Sequence, residues 1–351
     1  MPDLVRLTGL SPPSAPAPAA YREGNAMRHG MLIVAAVVGF WLLPSLAEPQ
    51  GTAVQQPGLK WSEDQLKKAA HHVRAGRTLT PKVWPNGARV AVCLSFDPDD
   101  FSIQLNRGDT NVVGVSLGEY APLTGIPRLL KLLQKYNIPA SFYIPAVSAM
   151  MHPEMIQELK KGPYEVGIHG WIHENPETIN DEAEEWRLTS QALDLLEKQW
   201  GRRPVGNRNP SWTMSQYTIG LLKKANLLYD TSLQAMDQPH DILLDGQSTG
   251  IIELPVNWIL DDPLVGPTGQ LPQPRLLMKT FQDDFDVAYK EGTLFMLTMH
   301  PHTTPQRSRI KYLEELIVYM KSKPGVWFAT AEDIAKYIKQ QTQTGGIAGS
   351  Q

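Results

Sequence analysis

The chain has 351 residues, a formal charge of −3 and 42% hydrophobic residues, enough for one large α/β domain or two small ones. The near-balanced charge, with Lys and Arg dispersed, argues against a nucleic-acid footprint. A single cysteine, Cys93, excludes an internal disulfide framework, and its apolar surroundings over 89–96 make it a buried strand residue rather than a nucleophile.

Residues 1–26 are rich in Pro and Ala and read as a disordered preface, with Met27 as an alternative start. The segment 27–47 then has the three parts of a secretory signal. Basic Met27-Arg28-His29 precedes an apolar run over 31–43 and the small residues of Pro44-Ser45-Leu46-Ala47, suited to cleavage after Ala47. The run is short for a membrane span, which favours the signal reading, and the competing reading is an uncleaved N-terminal anchor. Either address places the folded body outside the cytoplasm, in the periplasm, at the cell wall or in the medium. Residues 48–85 read as a polar linker and N-terminal extension with a short helix around 62–73.

From 86 to 340 strand-like and helix-like stretches alternate. The run 90–96 is continuously apolar, as expected of a strand buried on both faces. Residues 126–136 have helical spacing, with Leu129, Leu130, Leu132 and Leu133 on one face. Further strands are expected at 138–144, 164–168, 204–207, 227–229, 251–255, 293–299 and 326–329. Further helices are expected at 153–161, 181–200, 215–225, 275–289, 309–321 and 331–340, and 341–351 reads as a flexible tail. Regular β–α alternation implies a parallel sheet, wound open or closed into a barrel.

Two histidines four residues apart, in His169-Gly170-Trp171-Ile172-His173, follow one of these strands, and Asp97-Pro98-Asp99-Asp100 follows another. Two imidazoles and one carboxylate make a three-ligand divalent-metal site with a coordination position left open for water. Asp97 and Asp99, His169, Arg208, Asp230 and His300 all stand at or just past the C-terminal ends of expected strands. In β/α barrels that rim carries the active site, because its loops converge on one cavity.

Four segments carry a resemblance. Ser95-Phe96-Asp97-Pro98-Asp99, His169 through Asn175, Arg208-Asn209-Pro210-Ser211-Trp212 and Leu297-Thr298-Met299-His300-Pro301 resemble, in order, motifs of the polysaccharide deacetylase (NodB-homology) family. The similarity is nearest to its subgroup of peptidoglycan-deacetylase-like and allantoinase-like proteins, which share the His-Pro ending and Glu253-Leu254-Pro255. It runs over about residues 84–338. One departure is Pro98, which stands where many members of the subgroup have a small aliphatic residue and stiffens the turn without removing a carboxylate.

The resemblance implies an α/β fold, a distorted (β/α)7 barrel. It also implies a divalent metal held by Asp99, His169 and His173, zinc first, with cobalt, nickel or manganese as alternatives. Asp97 is then the general base, Arg208 the ion-pair partner that orients it, and His300 the general acid. Backbone N–H groups near Ser211 and Trp212 would hold the oxyanion, and Trp212, Trp171 and Trp258 are candidates for stacking on sugar. Asp230, with Asp237, Asp261 and Asp262 as competitors, would orient His300. Asp100 reads as a capping or solvated residue.

The function expected is a metal-dependent hydrolase that removes N-acetyl groups from peptidoglycan- or chitin-type glycans. A cyclic amide or imide hydrolase on the same scaffold is the alternative. A decayed carbohydrate-binding protein is disfavoured, since binding needs no general acid. The partners expected are an N-acetylated glycan, no nucleic acid, a membrane only through an uncleaved N-terminal segment, and a homo-oligomer as an open option.

Overall fold

The computed structural model describes residues 57–262 and 273–348; the preface and the signal or anchor segment lie outside the described residues. The described residues place ten strands in one sheet: β1 (Val73–Thr78), β2 (Val90–Phe96), β3 (Ala140–Ile144), β4 (Tyr164–Ile168), β5 (Gly206–Asn207), β6 (Tyr229–Asp230), β7 (His240–Leu244), β8 (Gln247–Glu253), β9 (Leu294–Met299) and β10 (Val326–Phe328). They lie in the order β1-β7-β8-β6-β5-β4-β3-β2-β10, with β9 also on β2. From β8 through β2 to β9 and β10 the pairing is parallel, as the β–α alternation predicts, and only β1–β7 and β7–β8 are antiparallel. After β8 the turn Trp258–Leu260 brings Asp261 into a parallel bridge with Thr298 of β9, which curls the sheet into a distorted barrel.

Strand alternation sorts side chains into two layers. Val90, Val92, Leu94 and Phe96 of β2 join the large cluster between the strands and the surrounding helices. Ala91 and Cys93 point the other way, into an interior shared with Leu294, Met296, Tyr143, Tyr229 and the helix Ala331–Thr344. All seven residues of β2 are buried, and each fully buried leucine or phenylalanine contributes about 1.5–3 kcal/mol relative to exposure. The same alternation carries Ser95 and then Asp97 to the inner, open end. Gly206 shows how tightly that interior is filled: a Cβ there would lie 2.0 Å from the ring of Tyr229.

Helix ends follow local chemistry. Glu182–Trp200 is capped by Asp181, which accepts from the N–H groups of Ala183 and Glu184, and it stops at Gly201 in the left-handed region. The helix expected around 62–73 is Glu63–His71, with Ser62 and Gln65 forming a capping box.

Several expectations change. The segment read as a linker contributes β1 to the sheet, paired with β7; Val-Arg-Ala-Gly-Arg-Thr has too few apolar residues to announce a strand. The tail expected at 341–351 is helix as far as Thr344, and Ile347 is buried and bridged to Pro81. Residues 100–125, given no element, hold the helices Ser102–Asn106 and Val112–Tyr120. The second is mostly apolar, with Val112 and Val113 exposed, so it has no clear amphipathic period to read.

Candidate active site

Each chemically active side chain sits where a strand ends. Asp97 leaves β2 with its N–H donating to the carbonyl of Met299 at 2.9 Å. Its Oδ1 accepts from Arg208 Nη1 at 2.8 Å, and both residues are buried. Arg208 leaves β5 and is fixed on three more sides. Nη2 donates to Ser95 Oγ at 2.9 Å, Nε to the Thr231 carbonyl at 3.3 Å, and the guanidinium lies 4.2 Å over the ring of Tyr143. The expected Asp97–Arg208 pair is therefore formed, and its orientation is set by β2, β3 and the residue after β6.

Asp99, His169 and His173 also come together. His169 Nε2 is 3.5 Å from Asp99 Oδ1, and His173 Nε2 is 3.8 Å from Asp99 Oδ2. One ligand atom from each lies within 4.8 Å of the other two. His169 Nδ1–H donates to the Arg208 carbonyl at 2.7 Å, which leaves Nε2 as a lone-pair donor aimed at Asp99. Burial lowers both histidines to about 3, so both are neutral, the form that binds a metal. Asp99 Oδ1 is buried with no hydrogen-bond partner among the described residues, and burial pushes its carboxyl up to about 8. A buried carboxylate oxygen without a donor, facing two imidazole lone pairs, is a donor set that fits a divalent cation.

His300 follows β9. Its Nδ1–H donates to Asp262 Oδ1 at 2.7 Å, and Nε2 faces Asp99 Oδ2 at 3.6 Å. Burial opposes the imidazolium, but the hydrogen bond and charge of Asp262, with Asp261 and Asp99 behind it, hold the pKa well above 6.5. A protonated imidazole beside the cluster is what a general acid requires. Asp262 is pinned in turn by the hydroxyl of Thr304 and the N–H of His300. Asp261, Asp262 and His300 form a second cluster close enough for an ion, but His300 Nδ1 is committed to Asp262 there.

The orienting aspartate is thus Asp262. Asp230 accepts from Asn207 Nδ2 at 2.6 Å and from the N–H and hydroxyl of Ser232, away from His300. Asp262 follows the 3-10 turn after β8, and only the crossover to β9 puts it under His300; no local spacing announces this. Asp100 is neither cap nor solvated: it is buried, in the left-handed region at φ 52°, and burial raises its carboxyl well above the ordinary value.

Ser211 and Trp212 occupy the 3-10 turn after Arg208, both left-handed. The Trp212 N–H donates to the Asn209 carbonyl at 3.0 Å, which closes the turn. Its indole packs against Trp258 with ring centroids 4.3 Å apart. Trp171 packs partly buried against the large core cluster.

Fold and site together define a barrel hydrolase of carbon–nitrogen bonds other than peptide bonds, with the Arg208–Asp97 and His300–Asp262 pairs at the C-terminal rim of the strands. Residues 119–229 match the family described as polysaccharide deacetylase. The chain is 30% identical over 259 residues to the peptidoglycan deacetylase of Helicobacter pylori, covering 65% of this chain and 88% of that protein. It is 25% identical over 291 residues to a peptidoglycan deacetylase-like protein of Gibberella zeae, covering 71% and 86%. Among solved structures, a putative polysaccharide deacetylase from Mycobacterium smegmatis superposes with a TM-score of 0.70 at 31% identity, over 77% of this chain and 96% of that one. The PuuE allantoinase shares the fold, with a TM-score of 0.66 at 24% identity over 74% of this chain and 92% of its own. The chain belongs to the polysaccharide deacetylase family.

Proposed function

We propose that this protein is a metal-dependent N-deacetylase of glycans of the peptidoglycan or chitin type. The observation that carries the reading is the buried, donorless Oδ1 of Asp99 facing His169 and His173, between an Arg208-bound Asp97 and an Asp262-bound His300. A divalent cation, zinc first, held by Asp99, His169 and His173 would supply Lewis acidity to an amide carbonyl and to a water. Asp97 takes the proton of the attacking water on its carboxylate, which Arg208 keeps oriented. His300 Nε2–H delivers a proton to the departing amine nitrogen, and Asp262 steadies the imidazolium. Trp212 and the half-exposed Trp258 offer indole faces on which a sugar ring can stack. The relatives named as peptidoglycan deacetylases support an N-acetylated cell-wall glycan as substrate.

The basic-apolar-small pattern of 27–47 supports export, by cleavage or with the segment kept as an anchor. N-terminal sequencing of the protein from its native host tests this: a start after Ala47 supports a cleaved signal, and soluble cytoplasmic protein keeping Met27 opposes export.

The central experiment measures metal content of the full-length protein, then acetate release from N-acetylated oligosaccharides against ring opening of a dihydropyrimidine and succinimide. Bound divalent metal with chelator-sensitive acetate release is the expected result. Ring opening without acetate release would overturn the substrate, and acetate release unaffected by metal removal would overturn the metal.

A further inference from the structure

Histidines four residues apart usually share a helix face, held there by the backbone bonds of the helical turn. His169 and His173 lie on no helix: β4 ends at Ile168, and the next helix begins at Pro176. Gly170 at φ 69° and His173 at φ 58° are left-handed, a conformation an α-helix does not pass through. Something else must hold this turn.

That group is the carboxylate of Glu174. The Trp171 N–H donates to both of its oxygens at 2.9 Å, and the Ile172 N–H donates to Oε2 at 2.8 Å. The carboxylate lies in the hollow of the turn, where a Cβ on Gly170 would come within 2.9 Å of Oε2. The outer side of the turn is fixed by neighbours. The N–H groups of Ala146 and Val147 donate to the carbonyls of Gly170 and Trp171 at 3.1 and 2.8 Å, and Asn106 Nδ2 donates to the His173 carbonyl at 3.1 Å. Bonds to a carboxylate are about twice as strong as neutral ones, so Glu174 is the strongest acceptor in the turn.

We propose that Glu174 is a positioning residue for the metal centre: its carboxylate gathers the N–H groups of the His169–His173 turn and sets the two imidazoles at ligand separation over Asp99. This rests on the metal reading of Asp99, His169 and His173. Glu174 acts through the backbone, so its loss changes the geometry of the donor set more than the stability of the barrel, whose core lies elsewhere.

The test uses full-length protein and the variants Glu174→Ala and Glu174→Gln. Gln keeps the volume but turns an NH2 group toward N–H donors, so it remains informative if the Ala variant does not fold. Zinc affinity is measured by chelator competition, the visible spectrum with cobalt bound, and thermal unfolding after metal removal. Zinc affinity is expected to fall about 10- to 100-fold, with a changed cobalt spectrum and little change in metal-free unfolding. Affinity within about threefold of wild type with an unchanged spectrum would overturn the proposal. So would a loss of affinity fully matched by loss of metal-free stability, which would make Glu174 a general stabiliser. Wild-type protein that binds neither zinc nor cobalt would overturn the metal reading itself, before any variant is compared.

Discussion

Arg208 and Asp97 form a buried ion pair at 2.8 Å, with side chains 0% and 2% exposed, and a two-residue cycle can separate its structural from its chemical contribution. Arg208→Met leaves the Asp97 carboxylate buried without its partner, which costs about 3–5 kcal/mol. Ser95 Oγ and the Thr231 carbonyl also lose a donor. Against a typical domain stability of about 5–15 kcal/mol the variant still folds, with a much lower urea midpoint. Asp97→Asn should cost less, about 1–3 kcal/mol, because the amide oxygen can still accept from Nη1. In Asp97→Asn/Arg208→Met both charges are gone, so the double variant should be more stable than the two single costs predict by about 1–3 kcal/mol. Activity behaves differently. Each single variant should lose about 10²–10⁴-fold in kcat/KM through the base, and the double no more than the worse single, since both act on one proton transfer. The measurements are urea unfolding and acetate release on the four proteins. Stability costs that add to within about 0.5 kcal/mol, or activity losses that multiply, would refute the pairing.

Asp262→Asn should lower kcat about 10²-fold or more with KM little changed. If His300 is the general acid proposed above, activity should be lost as pH rises through its pKa; Asp262 holds that pKa well above 6.5, and the variant should bring the alkaline limb down. An unmoved limb would show that another group is the acid. On the proposed metal reading, zinc would compete with a proton on Asp99, whose carboxyl burial pushes to about 8, while burial lowers both histidines to about 3. Calorimetry should therefore give a dissociation constant that weakens about tenfold per pH unit below 8, and a constant value from pH 6 to 8 would contradict this. Glu165, fully buried beneath the site, accepts from Ser141, Tyr229 and the Glu332 N–H, yet burial outweighs these bonds and raises it from 4.5 to about 7. Its folded pKa exceeds its unfolded one, so its contribution is full below about pH 4.5 and is lost as pH rises through about 7. The stability difference between wild type and Glu165→Gln should fall by about 3 kcal/mol between pH 4.5 and 8, and a pH-independent difference would refute the raised pKa.

The parallel framework was legible because β2, β3, β4 and β9 are buried, mostly apolar runs, and β2, β4 and β9 are each followed by the polar side chain at the rim, Asp97, His169 and His300. Residue type and strand-end position were enough to nominate Asp97, Asp99, His169, His173, Arg208 and His300, and the fold brings them to one rim. What escaped was set by long-range packing. β1 and β7 pair across 160 or more residues of chain, with Val73 opposite Leu244, so neither strand has a local signature. Asp262 is chosen over Asp230 by the crossover that pairs Asp261 with Thr298, a tertiary event. The Glu174 clasp depends on two left-handed residues, and backbone sign is invisible in a histidine.

Charge balance ties these pieces together. Around His300 and Arg208 lie the buried aspartates Asp97, Asp99, Asp100, Asp261 and Asp262, with Arg208 paired to Asp97 and His300 to Asp262. The three without such a partner are driven upward by burial: Asp99 to about 8, Asp261 to about 7 and Asp100 well above its ordinary value. For Asp99 the direction is opposite to what a structural carboxylate needs, because a group kept for an ion pair is given its partner by the fold, as Asp97 is. A carboxyl kept donorless between two neutral imidazoles is poised to exchange its proton for a cation, and that exchange would strengthen the site as pH rises. The same divalent charge would weaken the hold of Asp99 on the His300 proton, 3.6 Å away. On the proposed metal reading, loading of the site and the proton on His300 would be coupled through this one carboxylate.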